Sequence, residues 1–154
     1  MLFKRLLVPI DGSQYANSAI KTAIKIAEKF DSTITLLHIS SLATSLPLDM
    51  YQRTSSITQE DITKFIASSR EAGFAILDRG RQLVEDAGIR VKTLFKEGHI
   101  VQEIMTVTKG DRFDLIILGA KGISHIAELS IGSVSEKVVR TVPCAVLVIK
   151  EQCG

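Results

Sequence analysis

The sequence predicts an α/β fold: an open, five-stranded parallel sheet in the order 3-2-1-4-5 with helices on both faces, as in Rossmann-like proteins. Short apolar runs of strand length alternate along the chain with longer segments whose apolar residues recur at helical spacing. Such alternation is typical of parallel strands joined by right-handed helical crossovers. Because no linker, internal repeat or low-complexity segment interrupts the pattern, we predict one domain over residues 1–154.

The first two strands and the first helix are predicted within residues 5–39. Residues 5–10 are apolar on both faces, which indicates a central strand of a sheet covered on both sides. Ser13 is a suitable N-cap for a helix whose alanine-rich stripe extends over residues 16–30. Residues 33–39 form the second strand, and residues 40–57 are predicted to be a long loop.

A long helix over residues 59–87 is predicted to follow that loop. Gly73 and Gly80 lie on its apolar stripe and weaken it locally, so we expect a close approach to a neighbouring element there. Gly88 is a plausible C-terminal cap. Residues 91–95 alternate between apolar and polar, which favours an edge position for the third strand.

The last third of the chain contains two further helices and two further strands. A helix begins after Gly98 and ends at Gly110. The apolar run at residues 115–118 is the clearest buried strand of the sequence. A short helical pattern begins at Ser133, and the run Ala145–Ile149 forms the fifth strand.

The predicted strand order places a ligand crevice between strands 1 and 4. These strands are neighbours in the order 3-2-1-4-5, and the winding of the chain reverses between them. Open parallel sheets bind ligands at such a reversal, beyond the carboxyl ends of the strands. Asp11 follows strand 1 and Gly119 follows strand 4, so both are expected at this crevice.

A glycine-rich connection leads from strand 4 into the last helix: Gly119, two residues, Gly122, nine residues, then Gly132 and Ser133. Glycines let the backbone approach a bulky anion, and a helix N-terminus offers free N–H groups. The spacing matches neither Gly-x-Gly-x-x-Gly nor the Walker A loop. The glycines could also be turn residues only, and Ser133 with Glu136 could form a capping box.

Three separated motifs resemble the universal stress protein family. The Gly-x2-Gly-x9-Gly-Ser spacing is similar to that of its ATP-binding branch. Residues 7–13 resemble its first strand and loop, and residues 142–149 resemble its last strand, with Ala145 where relatives often carry a second proline. The resemblance covers nearly the whole chain and implies a nucleotide, ATP or its products ADP and AMP, in the predicted crevice.

The resemblance implies a set of ligand-binding residues. Those expected near adenine or ribose are Pro9, Ile10, Asp11 and Ile39, and those expected along the phosphate loop are Leu118, Gly119, Ala120, Gly122, His125, Gly132, Ser133, Val134 and Ser135. Each has an alternative reading from the residues themselves. Asp11 could cap the turn after strand 1, Ile39 could be core, and His125 could be an exposed loop residue. His38 is expected to be a packed core or edge residue.

Composition argues against several other classes of protein. Hydrophobic residues make up 45% of the chain and charged residues 23%, which is ordinary for a globular domain. The net charge of +2 and the absence of tryptophan favour neither a nucleic acid nor a membrane partner. No apolar run is long enough to cross a bilayer. Cys144 and Cys153 do not form a disulfide framework, so we expect a cytoplasmic protein.

We therefore expect an ATP-binding regulatory protein in which nucleotide acts as a switch ligand. Mg²⁺ would arrive with the phosphates, and hydrolysis would be slow at most because no general base or arginine finger is evident. The occupied state would be read by a regulatory protein partner, with residues 40–57 as a candidate surface. The apolar strand Ala145–Ile149 would form a symmetric homodimer at the sheet edge, as the resemblance also implies.

Other functions remain as alternatives or are disfavoured. The main alternative is a nucleotide-free dimeric scaffold of the same fold, in which the glycines serve folding only. A phospho-receiver domain requires an acidic pair after strand 1, but Asp11 has no acidic neighbour. Adenylating enzymes of related fold usually carry a Ser-Gly-Gly loop after strand 1, which is absent here.

Overall fold

The computed structural model describes residues 2–41, 58–121 and 132–150. Within these ranges the strands are β1 (Arg5–Pro9), β2 (Thr33–Ser40), β3 (Val91–Glu97), β4 (Leu115–Gly119) and β5 (Ala145–Ile149). The helices are α1 (Gln14–Phe30), α2 (Gln59–Asp86), α3 (Ile100–Gly110) and α4 (Ser133–Thr141).

The five strands form one parallel sheet in the order β3-β2-β1-β4-β5, which confirms the predicted fold and order. Leu6 of β1 lies opposite Ile34 of β2 on one side and opposite Leu115 of β4 on the other. The central position of β1 explains why its apolar run has no polar face, since helices cover both of its sides. β3 lies at one edge of the sheet, as its alternating pattern predicted.

Two hydrophobic cores lie on opposite faces of the sheet. On one face, α1 and α2 cover a core that includes Leu6, Val8, Ala19, Ala23, Leu36, Leu77 and Val84. On the other face, α3 and α4 cover a core that includes Leu7, Leu37, Ile104, Ile116 and Val138. The buried residues of α1 are mostly small alanines, which allow that helix to approach the sheet closely.

The strand ends differ slightly from the predicted ones. β1 ends at Pro9 and not at Ile10, although the Ile10 N–H still donates to the Leu37 carbonyl at 2.8 Å. β2 continues to Ser40 and β3 to Glu97, because the two strands stay paired as far as Ser40 and Glu97. The end of β2 thus reaches past the end of β1, and its residues 37–40 line the cavity described below.

The predicted helix ends and close approaches are confirmed on the α1–α2 face. Ser13 caps α1, its hydroxyl accepting from the Ala16 N–H. At the end of α2, Gly88 has a φ of 76°, and the Ile89 N–H donates to the Val84 carbonyl, as in a Schellman motif. A Cβ on Gly73 would lie 2.7 Å from the Phe95 ring, so α2 packs against the sheet through this glycine.

Candidate functional site

A cavity of about 420 Å³ opens at the carboxyl ends of β1, β2 and β4, where the winding of the sheet reverses. Eleven of the thirteen predicted binding residues line it: Pro9, Ile10, Asp11, Ile39, Leu118, Gly119, Ala120, Gly132, Ser133, Val134 and Ser135. The other two, Gly122 and His125, lie outside the described residues. The structure therefore brings together all of the predicted residues that it describes, and the volume lies in the range of small-molecule sites.

Part of the cavity wall is apolar. Ile39 of β2 and Ile100 and Ile104 of α3 belong to this part. Along β2, the main-chain N–H and C=O groups of odd-numbered residues point to β1, and those of even-numbered residues point to β3. The Thr33 N–H donates to the Lys4 carbonyl on the β1 side, and the Gly98 N–H donates to the Ser40 carbonyl on the β3 side. The main-chain N–H and C=O of Ile39 therefore point to the side of β1, beyond the end of that strand.

The N-terminus of α4 also lines the cavity. Gly132 is the N-cap residue, and no side chain of the described residues caps this helix. The predicted capping box of Ser133 and Glu136 is wrong: Ser133 is the first helical residue, and the Glu136 carboxylate accepts from Arg140 at 2.8 Å. Glu136 is thus one position too far along the helix to reach back. The first-turn N–H groups consequently lack the side-chain partner that the sequence suggested.

The start of α4 is tied to the end of β4 by short polar contacts. The buried Ser135 hydroxyl donates to the Gly119 carbonyl at 2.8 Å and lies 3.2 Å from the Ala120 carbonyl. The Gly132 N–H donates to the same Ala120 carbonyl at 2.6 Å. These bonds orient the helix so that its first turn lines the cavity.

Both described glycines of the phosphate-loop pattern are required for packing. A Cβ on Gly119 would lie 2.6 Å from the Tyr15 Cβ, so β4 and the first turn of α1 touch through this glycine. A Cβ on Gly132 would lie 2.9 Å from the Ala120 carbonyl oxygen. These two glycines therefore have a packing role whether or not a ligand binds beside them.

Asp11 combines a structural contact with a position on the cavity wall. Its Oδ1 accepts from the Ser13 N–H at 2.9 Å, which is the turn-capping role anticipated from the sequence. The half-buried Asp11 also lines the cavity, as do Ser13 and Lys121. Among the described lining residues, Asp11, His38 and Lys121 carry the titratable side chains.

Sequence reasoning missed several residues of the site. His38, expected as a core or edge residue, lines the cavity, and its Nδ1 lies 2.8 Å from the Ile10 carbonyl. Ser40 and Ser69 also line it, with their hydroxyls 3.2 Å apart. The position of His38 near the end of β2 was a usable signal, because strand ends border the crevice. Ser69 had none, since it comes from a helix remote in sequence.

The remaining titratable features lie away from the cavity. Burial raises the pKa of the Cys144 thiol, which packs against the core under α3 and α4. Within residues 2–41, 58–121 and 132–150, no cluster of three or more His, Cys, Asp or Glu side chains could hold a metal ion. No helix in these same ranges combines the length and apolarity that crossing a membrane requires.

The comparison with known proteins identifies the family. Residues 2–150 match the Universal stress protein family. The chain belongs to this family. The universal stress protein YxiE of Bacillus subtilis is 28% identical over 155 residues, a match that covers 97% of this chain and 100% of YxiE.

Solved structures of this family share the fold. The universal stress protein UspA from Lactobacillus plantarum superposes with a TM-score of 0.79 at 23% identity, covering 97% of this chain and 99% of UspA. A universal stress protein family protein from Arabidopsis thaliana, solved with AMP bound, has a TM-score of 0.68 at 18% identity and covers 97% of this chain and 92% of its own. At these identities the likeness concerns the fold.

Proposed function

We propose that this universal stress protein binds an adenine nucleotide, ATP or its products ADP and AMP, in the cavity between β1 and β4. The observation that carries the proposal is the first turn of α4, which lines the cavity without a side-chain cap. Free N–H groups and the positive end of the helix dipole together favour phosphate. The AMP bound to the related Arabidopsis protein supports the same ligand class.

The apolar residues of the cavity wall suit an adenine ring. Ile39, Ile100 and Ile104 provide apolar contacts for its faces. The Ile39 main chain presents one N–H donor and one C=O acceptor on the β1 side of β2. Adenine offers an acceptor at N1 beside a donor at N6, which matches this pair, whereas guanine offers the reverse order. We therefore expect ATP to bind more tightly than GTP.

The polar residues of the cavity wall suit ribose and the phosphates that follow it. The Asp11 carboxylate is placed to accept hydrogen bonds from ribose hydroxyls. Lys121 and the Ser133 hydroxyl lie on the β4–α4 side, where the phosphates would bind. Mg²⁺ would be held mainly by phosphate oxygens and water, as is usual for this ion. Gly122 and His125 stay predicted phosphate contacts outside the described residues.

We propose that the nucleotide acts as a switch ligand and is hydrolysed slowly at most. Nucleotide that binds the α4 N-terminus would favour the state in which α4 is docked on β4 through Ser135. A regulatory protein partner would then distinguish the occupied from the empty state. Residues 40–57 are the candidate surface for this partner, and residues 42–57 of it lie outside the described residues. Release of phosphate from ATP, measured over hours, gives the turnover rate.

The first experiment identifies any nucleotide carried by the protein. Freshly purified protein is denatured, and the supernatant is examined by chromatography and mass spectrometry. The binding of added ATP, AMP and GTP with Mg²⁺ is then measured by calorimetry. If no nucleotide is released and ATP with Mg²⁺ neither binds nor raises the melting temperature, the nucleotide-free scaffold becomes the better reading. In that alternative the packing roles of Gly119 and Gly132 account for both glycines without a ligand.

A charge substitution separates loss of the site from loss of the fold. Ser133→Asp places a carboxylate at the first position of α4, where it repels phosphate but favours the helix dipole. We expect at least a tenfold loss of ATP affinity without loss of thermal stability. Ser68→Asp, the same change at an exposed position of α2 away from the cavity, is the matched control. Equal ATP affinity in both variants would contradict the proposed phosphate position.

We also propose a symmetric homodimer through antiparallel β5 strands. β5 lies at one sheet edge and carries no charged residue, and its Leu147 is 37% exposed. The opposite edge, β3, carries Lys92, Lys96 and Glu97, which discourage strand pairing there. Wild type should sediment as a dimer at micromolar concentration and Leu147→Lys as a monomer, with Leu83→Lys on α2 as a control that stays dimeric.

The proposed location is the cytoplasm, as the cysteine content predicted. Cys144 is a free thiol, and Cys153 lies outside the described residues. A reducing compartment keeps such thiols unpaired. Cell fractionation with an antibody against the protein tests the location, and recovery outside the cytoplasmic fraction would contradict it.

A further inference from the structure

The main-chain hydrogen bonds between β1 and β2 stop just after the end of β1, at Ile10. The Ile10 N–H donates to the Leu37 carbonyl at 2.8 Å. In a regular parallel ladder the next bond would join the Ile39 N–H to the Ile10 carbonyl. Among the hydrogen bonds of the described residues that bond is absent, and the Ile10 carbonyl lies 2.8 Å from Nδ1 of His38.

This contact determines which nitrogen of the imidazole donates a hydrogen bond. A carbonyl oxygen only accepts hydrogen bonds, so Nδ1 of His38 carries the proton and donates. The Ile10 carbonyl therefore has the imidazole, and not the Ile39 N–H, as its hydrogen-bond partner. The Ile39 N–H, on the β1 side of β2, has no hydrogen-bond partner among the described residues, and Ile39 lines the cavity.

Packing from α2 and β3 holds the imidazole in place. The His38 ring lies 6.0 Å from the Phe95 ring, and Phe95 stacks on Phe74 of α2 at 4.5 Å. A Cβ on Gly73 would lie 2.8 Å from Cδ2 of His38, so only glycine at this position of α2 leaves room for the ring. The orientation of His38 is therefore determined by its surroundings before any ligand binds.

We propose that His38 is a positioning residue for nucleotide binding: by occupying the Ile10 carbonyl, it keeps the Ile39 N–H open for the base. This inference rests on the proposed nucleotide site. It adds His38 as the residue that leaves the Ile39 main chain available to the base. His38 acts through Ile10 and Ile39, so its effect falls on recognition of the base. Recognition of the phosphates, which depends on α4, is unaffected.

Two substitutions separate the hydrogen bond from the packing. His38→Leu keeps apolar contact with Phe95 and Gly73 but removes the donor, whereas His38→Asn loses ring contacts but retains an N–H donor near the position of Nδ1. The proposal expects ATP affinity to fall at least tenfold in His38→Leu and to stay within about threefold of wild type in His38→Asn. Affinity for inorganic tripolyphosphate, which has no base, should change less than about twofold in either variant.

A purely structural role for His38 gives a different result. It would make His38→Asn the more damaging change, and it would weaken ATP and tripolyphosphate alike. Either outcome would overturn the proposal. Melting temperatures of both variants are measured in parallel, so that a general loss of folding is seen directly.

Hydrogen exchange tests the same inference without any nucleotide. In ligand-free wild type the Ile39 amide should exchange quickly for a residue within a strand, because it lacks a partner on the β1 side. In His38→Leu the Ile10 carbonyl is released, and we expect the Ile39 amide to gain at least tenfold protection. Unchanged exchange in His38→Leu would refute the positioning role even if ATP binds. Failure of wild type to bind ATP would instead refute the proposed function, whatever the exchange result.

Discussion

The link between β4 and α4 can be tested by Ser135→Ala. Ser135 is 3% exposed, and its hydroxyl donates to the Gly119 carbonyl at 2.8 Å, with the Ala120 carbonyl 3.2 Å away. The Ala120 carbonyl keeps the Gly132 N–H as a donor when the hydroxyl is removed. The Gly119 carbonyl loses its side-chain partner, so the substitution removes one hydrogen bond at a buried position.

The expected cost follows from the loss of one hydrogen bond. The Gly119 carbonyl lines the cavity and can bond to water instead, so the free energy of unfolding should fall by about 0.5–1.5 kcal/mol. For a domain of this size each kcal/mol shifts the melting temperature by roughly 2–4 °C, so Ser135→Ala should melt about 1–6 °C below wild type. Affinity for ATP should also fall, because the first turn of α4 would no longer be fixed against β4.

Ser133→Ala is the matched control for this experiment. The Ser133 side chain is exposed and makes no hydrogen bond within the described part of the chain, so its loss should change stability by less than about 0.5 kcal/mol. Urea unfolding and thermal melting of ligand-free protein measure both variants. If Ser135→Ala is as stable as Ser133→Ala, the hydroxyl does not hold α4 in place and the argument fails.

Three further predictions concern packing and titration. Gly73→Ala should lower stability by about 1–3 kcal/mol, because its Cβ would overlap two rings, whereas Gly110→Ala, with no atom within 4 Å, should not; urea unfolding compares them. Hydrogen bonds with the backbone N–H and the side chain of Thr58 lower the pKa of Asp61. Asp61→Asn should therefore be less stable than wild type at neutral pH, and the difference should vanish as the pH falls through that lowered pKa. Burial raises the pKa of Cys144, so its alkylation should accelerate at a higher pH than that of free cysteine; a matching pH profile would contradict this.

Most of the fold could be predicted from the sequence because its signals are local. Residues 115–118 are apolar on both faces and lie in the sheet interior, whereas residues 91–95 alternate and lie at the edge. Gly88 ends α2 with the positive φ that glycine adopts without strain. In each case the deciding property belongs to a few consecutive residues, so no knowledge of distant contacts was needed.

The errors occurred where distant contacts decide the local structure. Ser133 and Glu136 have the spacing of a capping box, but the bond between Gly132 and the Ala120 carbonyl makes Gly132 the N-cap and shifts the helix start by one residue. The hydrogen bond between His38 and the Ile10 carbonyl was not predicted either, because the orientation of the imidazole depends on the room that Gly73 of α2 leaves for it. Neither contact joins residues that are close in the sequence.

The glycines of the β4–α4 connection can serve packing and phosphate binding at the same time. Gly119 allows β4 to touch α1 at Tyr15, and Gly132 allows α4 to begin against Ala120. A side chain at Gly132 would push the start of α4 away from the end of β4, so its first-turn N–H groups would no longer line the cavity. A side chain at Gly119 would push β4 away from the first turn of α1, which lines the same cavity through Ser13 and Ala16. A packing role therefore gives no argument against phosphate binding. Only a change such as Ser133→Asp, which leaves both glycine contacts intact, tests the ligand role by itself.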